Sequence, residues 1–247
     1  MKYIKGVHRH GSETFLIYTK DETSNELKNI IKSSTTKKGI NSIISEYHGI
    51  KWYNEESEIK IDCHLEKITD NYSRIKIYIN KGFFNIETNK PYLKLAKYLN
   101  LTLDHYIKIW NKYKKKTYAP FHGDLSLVGN VMFNKFNEVL FVDWEQFDNN
   151  NKMPTGSDFI MIIIENVLYE SLRSKIIDEK IFTHIKSLIV SLNNADLLSP
   201  LLQKQPAQST LKFIKSNTDI WKGQHFKLPC LKIPEKYILK IDNAINK

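Results

Sequence analysis

Up to about residue 82, short apolar runs set the pattern of the chain. Thr14–Tyr18 (TFLIY) and Leu27–Ser33 (LKNIIKS) read as strands separated by turn formers at Asp21–Glu26. Ile40–Tyr53 changes period: Ile40, Ile43, Ile44 and Tyr47 fall at i, i+3, i+4 and i+7, one face of a helix, with Gly49 and Trp52-Tyr53 marking its end. Ile59–Ile68 and Ser73–Ile79 alternate polar and apolar and pair as strands across Asp70-Asn71. From residue 83 onward the pattern is mainly helical, over Pro91–Asn100, Leu103–Lys115, Asp158–Leu172, 177–195, 208–216 and 234–246. Tyr106, Ile107, Trp110 and Tyr113 share one side of the second of these. Gln203–Gln208, with Pro206, reads as a loop, and Pro154–Ser157 breaks the chain before a helix apolar nearly all round, the expected buried spine. The fold class is α+β, a small β-rich part over 1–82 followed by a helical part over 83–247.

One stretch does not fit either regime. In Phe121–Phe147 (FHGDLSLVGNVMFNKFNEVLFVDWEQF) the run Val139–Val142 reads as a buried strand. Val131–Phe133 is a second strand, joined to it through the turn formers of Asn134–Glu138. Folded as a hairpin, this stretch is expected to bring Asp124, Asn130 and Asp143 to one edge of a small sheet. Three such oxygen-bearing groups suit phosphoryl transfer, which needs a carboxylate beside the attacking hydroxyl and hard oxygen ligands for magnesium.

HGDLSLVGNVMF followed by VDWEQF resembles the aminoglycoside phosphotransferase and choline kinase group. The resemblance implies a two-lobed, protein-kinase-like fold that uses a nucleotide (ATP or GTP) and Mg2+ to phosphorylate a hydroxyl of a small molecule. Asp124 would be the catalytic base or hydroxyl-orienting residue, and Asn130 and Asp143 would ligate magnesium. His122 would be a packed strut of the loop, Gly123 its sharp turn, and Asp158 would tie down the loop backbone. Glu145 would support the metal from behind its ligands or face water. Lys32, with Lys28 as the alternative, would contact the nucleotide phosphates, and Glu46 would reach inward to pair with Lys32. Tyr78–Phe84 would be the hinge, flexible at Gly82, and His8–Ser12 stands near where a phosphate loop would lie. In the family the Asn follows the catalytic Asp by five residues. Here it follows by six, so an extra residue within Ser126–Val128 is expected to bulge outward.

Charge narrows the function classes. The chain has 247 residues, 41% hydrophobic, with a formal net charge of +10 carried almost wholly by lysine; Arg9, Arg74 and Arg173 are its arginines. Scattered lysine without arginine disfavours nucleic acid, where arginine would be expected at base edges and phosphates. Cys63 and Cys230 are too few and too far apart for a zinc site or a disulfide framework, and they fit a reducing cytosol. The longest apolar run, Phe159–Ile164, is far below a membrane span, and the first residues lack the apolar segment of a signal peptide. A soluble cytoplasmic kinase is therefore expected. The loop reads His-Gly-Asp rather than His-Arg-Asp, which disfavours a protein substrate. A neutral or anionic sugar, a surface-glycan precursor or an amino alcohol is the expected acceptor. Trp110, Trp144, Trp221 and Tyr169 are the aromatics from which a choline cage would be drawn. The competing readings are an inactive nucleotide-binding scaffold and a basic nucleic-acid-binding protein.

Overall fold

A computed structural model describes residues 2–8, 14–20, 27–80, 82–86, 92–165, 179–216 and 233–245. Arg9–Ser12, Tyr169, Trp221, Cys230 and the end of the helix expected up to Leu172 lie outside the described residues. The chain is α+β, with strands concentrated before residue 82 and helices after it. The described residues fall into two compact units. The first runs to Gly82 and takes in Asp143–Phe147 as well; the second takes Phe83–Val142 and the chain from Asp148. Local patterning does not reveal the return of Asp143–Phe147 to the first unit.

In the first unit β1 (Lys2–His8), β2 (Phe15–Lys20), β3 (Leu27–Ser34), β4 (Cys63–Thr69) and β5 (Tyr72–Tyr78) form an antiparallel sheet in the order β1-β2-β3-β5-β4. The alternation read from the sequence is plain in β5, where Ser73, Ile75 and Ile77 are buried and their neighbours are not. Lys32 stands opposite Leu16 on one side and Ile75 on the other, so it shares their buried face. Helix α1 (Lys37–Glu56) covers that face with Ile43, Ile50, Trp52 and Tyr53. It starts where the Thr36 hydroxyl accepts from the Gly39 amide at 3.2 Å. Three differences from the sequence expectation have local causes. Gly49 lies inside α1 rather than at its end. β4 begins only at Cys63, because the Asn54 side chain takes both backbone groups of Ile61 at 2.8 Å each. And β1 forms in a stretch whose lysines hide its alternation.

In the second unit α2 (Tyr92–Ile109) is one helix where two were expected. The polar step at Thr102 does not break it, since the hydroxyl bonds back to the Tyr98 carbonyl at 2.7 Å within the helix. A 3-10 turn, Asn111–Tyr113, follows. Two small sheets come next: β6 (Phe84–Asn85), β8 (Val131–Phe133) and β9 (Val139–Phe141) in one, β7 (Tyr118–Phe121) and β10 (Asp148–Pro154) in the other. Tyr106 stacks on Trp110 at 4.2 Å in the core that α2 shares with Phe133, Phe141 and Phe159. Helix α3 (Ser157–Ile162) is buried at every position, as its all-round apolar pattern predicts. Helices α4 (Glu179–Asn194), α5 (Pro206–Ser216) and α6 (Glu235–Ile245) complete the unit. Pro206, expected in a loop, is the first residue of α5, a position where its missing N–H costs nothing. Asp242 of α6 accepts from the Ala207 and Gln208 amides and so caps that helix. Among the described residues no helix is long and apolar enough to cross a membrane.

Candidate active site

In the first unit the focus is one ammonium among three carboxylates. β3 carries Lys32 along the apolar face of the sheet, so its stem is packed and only its Nζ reaches polar partners. Nζ lies 2.5 Å from Glu46 Oε2, 2.7 Å from Asp143 Oδ1 and 2.8 Å from Glu145 Oε1. The three carboxylates each bring one oxygen to within 4.8 Å of the others, a hard-oxygen set of the kind that can hold a metal ion. Burial pulls the Lys32 ammonium down, but Asp143, Glu46 and Glu145 together raise it well above 10.5, so it stays charged. Glu46 is pushed up to about 8, by burial first and then by the other two carboxylates against the pull of Lys32.

Helix α1 and the segment Asp143–Phe147 hold this group together. Asp143 has φ 65, a left-handed conformation that aspartate tolerates better than most residues. The segment then turns, with the Phe147 amide donating to the Trp144 carbonyl at 3.0 Å. Trp144 is fully buried, with ring centroids 5.8 Å from Trp52 and 5.3 Å from Tyr53. Ser42 donates to Glu145 Oε2 at 3.3 Å.

The second unit holds the His-Gly-Asp loop. Asp158, at the start of α3, accepts the His122 amide on Oδ2 at 2.9 Å and the Gly123 amide on Oδ1 at 3.1 Å. Burial pushes its carboxyl up to about 7, and those two N–H groups pull the other way. The His122 ring is fully buried. Its Nδ1 accepts from the Asp124 amide at 3.3 Å, so Nε2 carries the proton and donates to the Val142 carbonyl at 3.1 Å. Gly123, at φ 90, makes the turn that a side chain would strain. Asn130 donates through Nδ2 to the Asp124 carbonyl at 2.5 Å and to Asp124 Oδ2 at 3.2 Å, which leaves Oδ1 as its ligand end. The extra residue of the loop does not bulge outward as a whole. The Ser126 carbonyl accepts from Gly129, Asn130 and Val131, winding 126–131 into a turn that buries Leu127 completely.

Neither a protein-family model nor a curated protein sequence matches the chain. Among solved structures there is a match. The fold is similar to the choline kinase LicA from Streptococcus pneumoniae, with 10% identity over 100% of this chain and 93% of that one and a TM-score of 0.46.

The predicted residues thus fall into two sets, each placed within its own unit. Lys32, Glu46, Asp143 and Glu145 meet in the first; His122, Asp124, Asn130 and Asp158 meet in the second. Among the described residues the carboxylates that cluster within 4.8 Å of one another are Glu46, Asp143 and Glu145, a set without Asp124. Glu145 bonds Lys32 and Ser42 rather than facing water, and Lys28 is exposed. Sequence reasoning missed Ser42 and the close contact of Gly49. Ser42, Glu46 and Gly49 share a helical face, and a glycine inside a helical pattern signals close packing. Trp110 and Trp144, two of the aromatics considered for a choline cage, are fully buried. Trp110 also donates to the Pro120 carbonyl at 2.8 Å.

Proposed function

We propose that the protein is a nucleotide- and magnesium-dependent phosphotransferase acting on a hydroxyl of a small molecule, on a protein-kinase-like fold. The observation that carries this is the buried Lys32, held by Glu46 and set against Asp143 and Glu145. A lysine that only filled a core would not be ringed by three carboxylates, whose desolvation is costly. A lysine destined for phosphates needs a carboxylate to aim it and acidic neighbours to hold the metal that accompanies them.

Lys32 binds nucleotide phosphate oxygens, and Glu46 orients it. Asp143 holds magnesium, with Asn130 Oδ1 the second ligand that the resemblance assigns and Glu145 in support. When bound, the ion supplies charge neutralisation on the phosphates. Asp124 would accept the hydrogen bond of the acceptor hydroxyl and receive its proton as that oxygen bonds to the γ-phosphorus and the bond from this phosphorus to the β–γ bridging oxygen breaks, releasing the nucleoside diphosphate. His122, Gly123 and Asp158 hold the loop in place, so the carboxylate is preorganised rather than recruited. The acceptor class is a sugar, a surface-glycan precursor or an amino alcohol. With Trp110 and Trp144 committed to packing, sugars are the first acceptors to try.

The test is a thermal-shift titration with ATP and with GTP, each with and without magnesium, on the parent and on Asp143→Ala. Binding to the folded state alone raises the midpoint by linkage. The expected result is a magnesium-dependent rise that Asp143→Ala abolishes. No rise with any nucleotide overturns the reading.

A further inference from the structure

The contact between α1 and the segment Asp143–Phe147 has an unusual closeness. A Cβ built on Gly49 would lie 2.6 Å from Trp144 Cβ, 2.9 Å from Phe147 Cβ and 3.0 Å from Phe147 Cγ. Two of these are Cβ atoms, bonded directly to backbone, so they cannot swing aside as the tip of a long side chain would. Trp52, Tyr53, Trp144 and Phe147 close around the contact, with Trp52 also 5.6 Å from Phe147. Two turns earlier on the same face, Ser42 donates to Glu145 Oε2, while Lys32 binds Glu145 Oε1. Glu46 lies between these two points and binds Lys32. One face of α1 therefore touches the segment twice, once on each side of the residue that aims Lys32.

We propose that Ser42 and Gly49 are positioning residues. Gly49 sets the distance of Asp143–Phe147 from α1, and Ser42 fixes the rotation of the Glu145 carboxylate, so that Glu46, Asp143 and Glu145 share Lys32. Glycine is required at 49 for space, not for backbone freedom, because the residue lies within α1. Their bearing on magnesium-nucleotide binding rests on the phosphotransferase reading; their bearing on Lys32 does not.

The experiment has two arms on the full chain. The first measures acylation of Lys32 by an activated acetate ester, without metal or nucleotide, read by peptide mass spectrometry against Lys97 and Lys108 in the same digest. Gly49→Ala loosens the group, and the relative rate at Lys32 rises about fivefold, as local opening predicts. Ser42→Ala raises it about twofold, because Lys32 keeps all three carboxylates and only the Glu145 rotation is freed, and Ser42→Thr returns it to the parent rate. Lys32 staying as protected as in the parent in both alanine variants overturns the proposal. Should the far-UV circular dichroism of Gly49→Ala show an unfolded chain, Ser42→Ala decides. The second arm titrates ATP calorimetrically in magnesium and in chelator. Ser42→Ala weakens binding in magnesium about tenfold and leaves the chelator arm unchanged; an equal loss in both overturns the positioning role. A parent that binds no nucleotide sinks the phosphotransferase reading, and the acylation arm still decides the positioning.

Discussion

Lys32 Nζ lies 2.7 Å from Asp143 Oδ1, across 111 residues of sequence. With Glu46 and Glu145 also bonded to it, this one ammonium neutralises part of a buried acidic group. Lys32→Met removes the cation and leaves the carboxylates facing one another. The expected loss is about 3 kcal/mol, the usual scale for breaking a buried ion pair from one side. Excess magnesium without nucleotide should restore part of the lost midpoint in Lys32→Met and do less for the parent. A variant as stable as the parent in chelator would show that the group does not depend on its lysine.

Asp124→Asn keeps the shape of the loop, because an amide oxygen can still accept from Asn130. It loses the basic oxygen that a hydroxyl proton needs. Phosphoryl transfer should fall at least about a hundredfold, the scale of general base catalysis. Nucleotide affinity should stay near that of the parent, which a calorimetric titration checks. Transfer at the parent's rate would remove Asp124 from the chemistry, and a parent that binds nucleotide without turnover would favour the inactive scaffold.

Asp158 makes stability depend on pH. Burial pushes its carboxyl up to about 7 in the folded protein, from an ordinary 3.8. Between those values the folded state binds more protons than the unfolded chain, so this group's contribution is full below pH 3.8 and is lost as pH rises through 7. Asp158→Asn does not titrate. The stability of the parent relative to the variant should be highest on the acid side and fall by a few kcal/mol, roughly, on reaching neutrality. His105, held down to about 4 by burial, tilts stability the opposite way, but it is common to both proteins and cancels in the difference. Urea midpoints at a series of pH values measure the difference, and a parent that gains on the variant toward neutrality contradicts the assignment.

Gly156→Ala tests the start of α3, which carries Asp158. Gly156 is at φ 94, and a Cβ there would meet the Leu197 carbonyl oxygen at 2.7 Å. Strain and clash add, so a loss of about 2 kcal/mol or more is expected from the urea midpoint. The same substitution at Gly82, at φ 81 with nothing within 4 Å, should cost only the strain, about 1 kcal/mol. Equal losses at the two glycines would show that the Leu197 contact yields freely.

Much of the local structure was legible because it depends on neighbours in sequence. The alternation of Ser73–Ile79, the stripe of Ile40 and Ile43 and the all-round apolar run of α3 each obey a period set by backbone geometry. The misread boundaries at Ile59, Thr102 and Pro206 share another cause. A side chain or a helix's first turn satisfied backbone groups that the pattern assigned elsewhere.

By itself the sequence determined the residue types that can do the chemistry: the His-Gly-Asp loop, Asn130, Asp143, Glu145 and the lysine and glutamate that could pair. Tertiary structure alone decided their company. It set Lys32 among the carboxylates by putting it on the covered face of β3, left Lys28 exposed, joined Glu145 to Lys32 and Ser42, and brought Gly49 close to Trp144 and Phe147. A periodic pattern states which way a side chain faces along its own element. Which group it meets depends on contacts over more than a hundred residues of chain, and on close approaches that only packing of the whole unit can set.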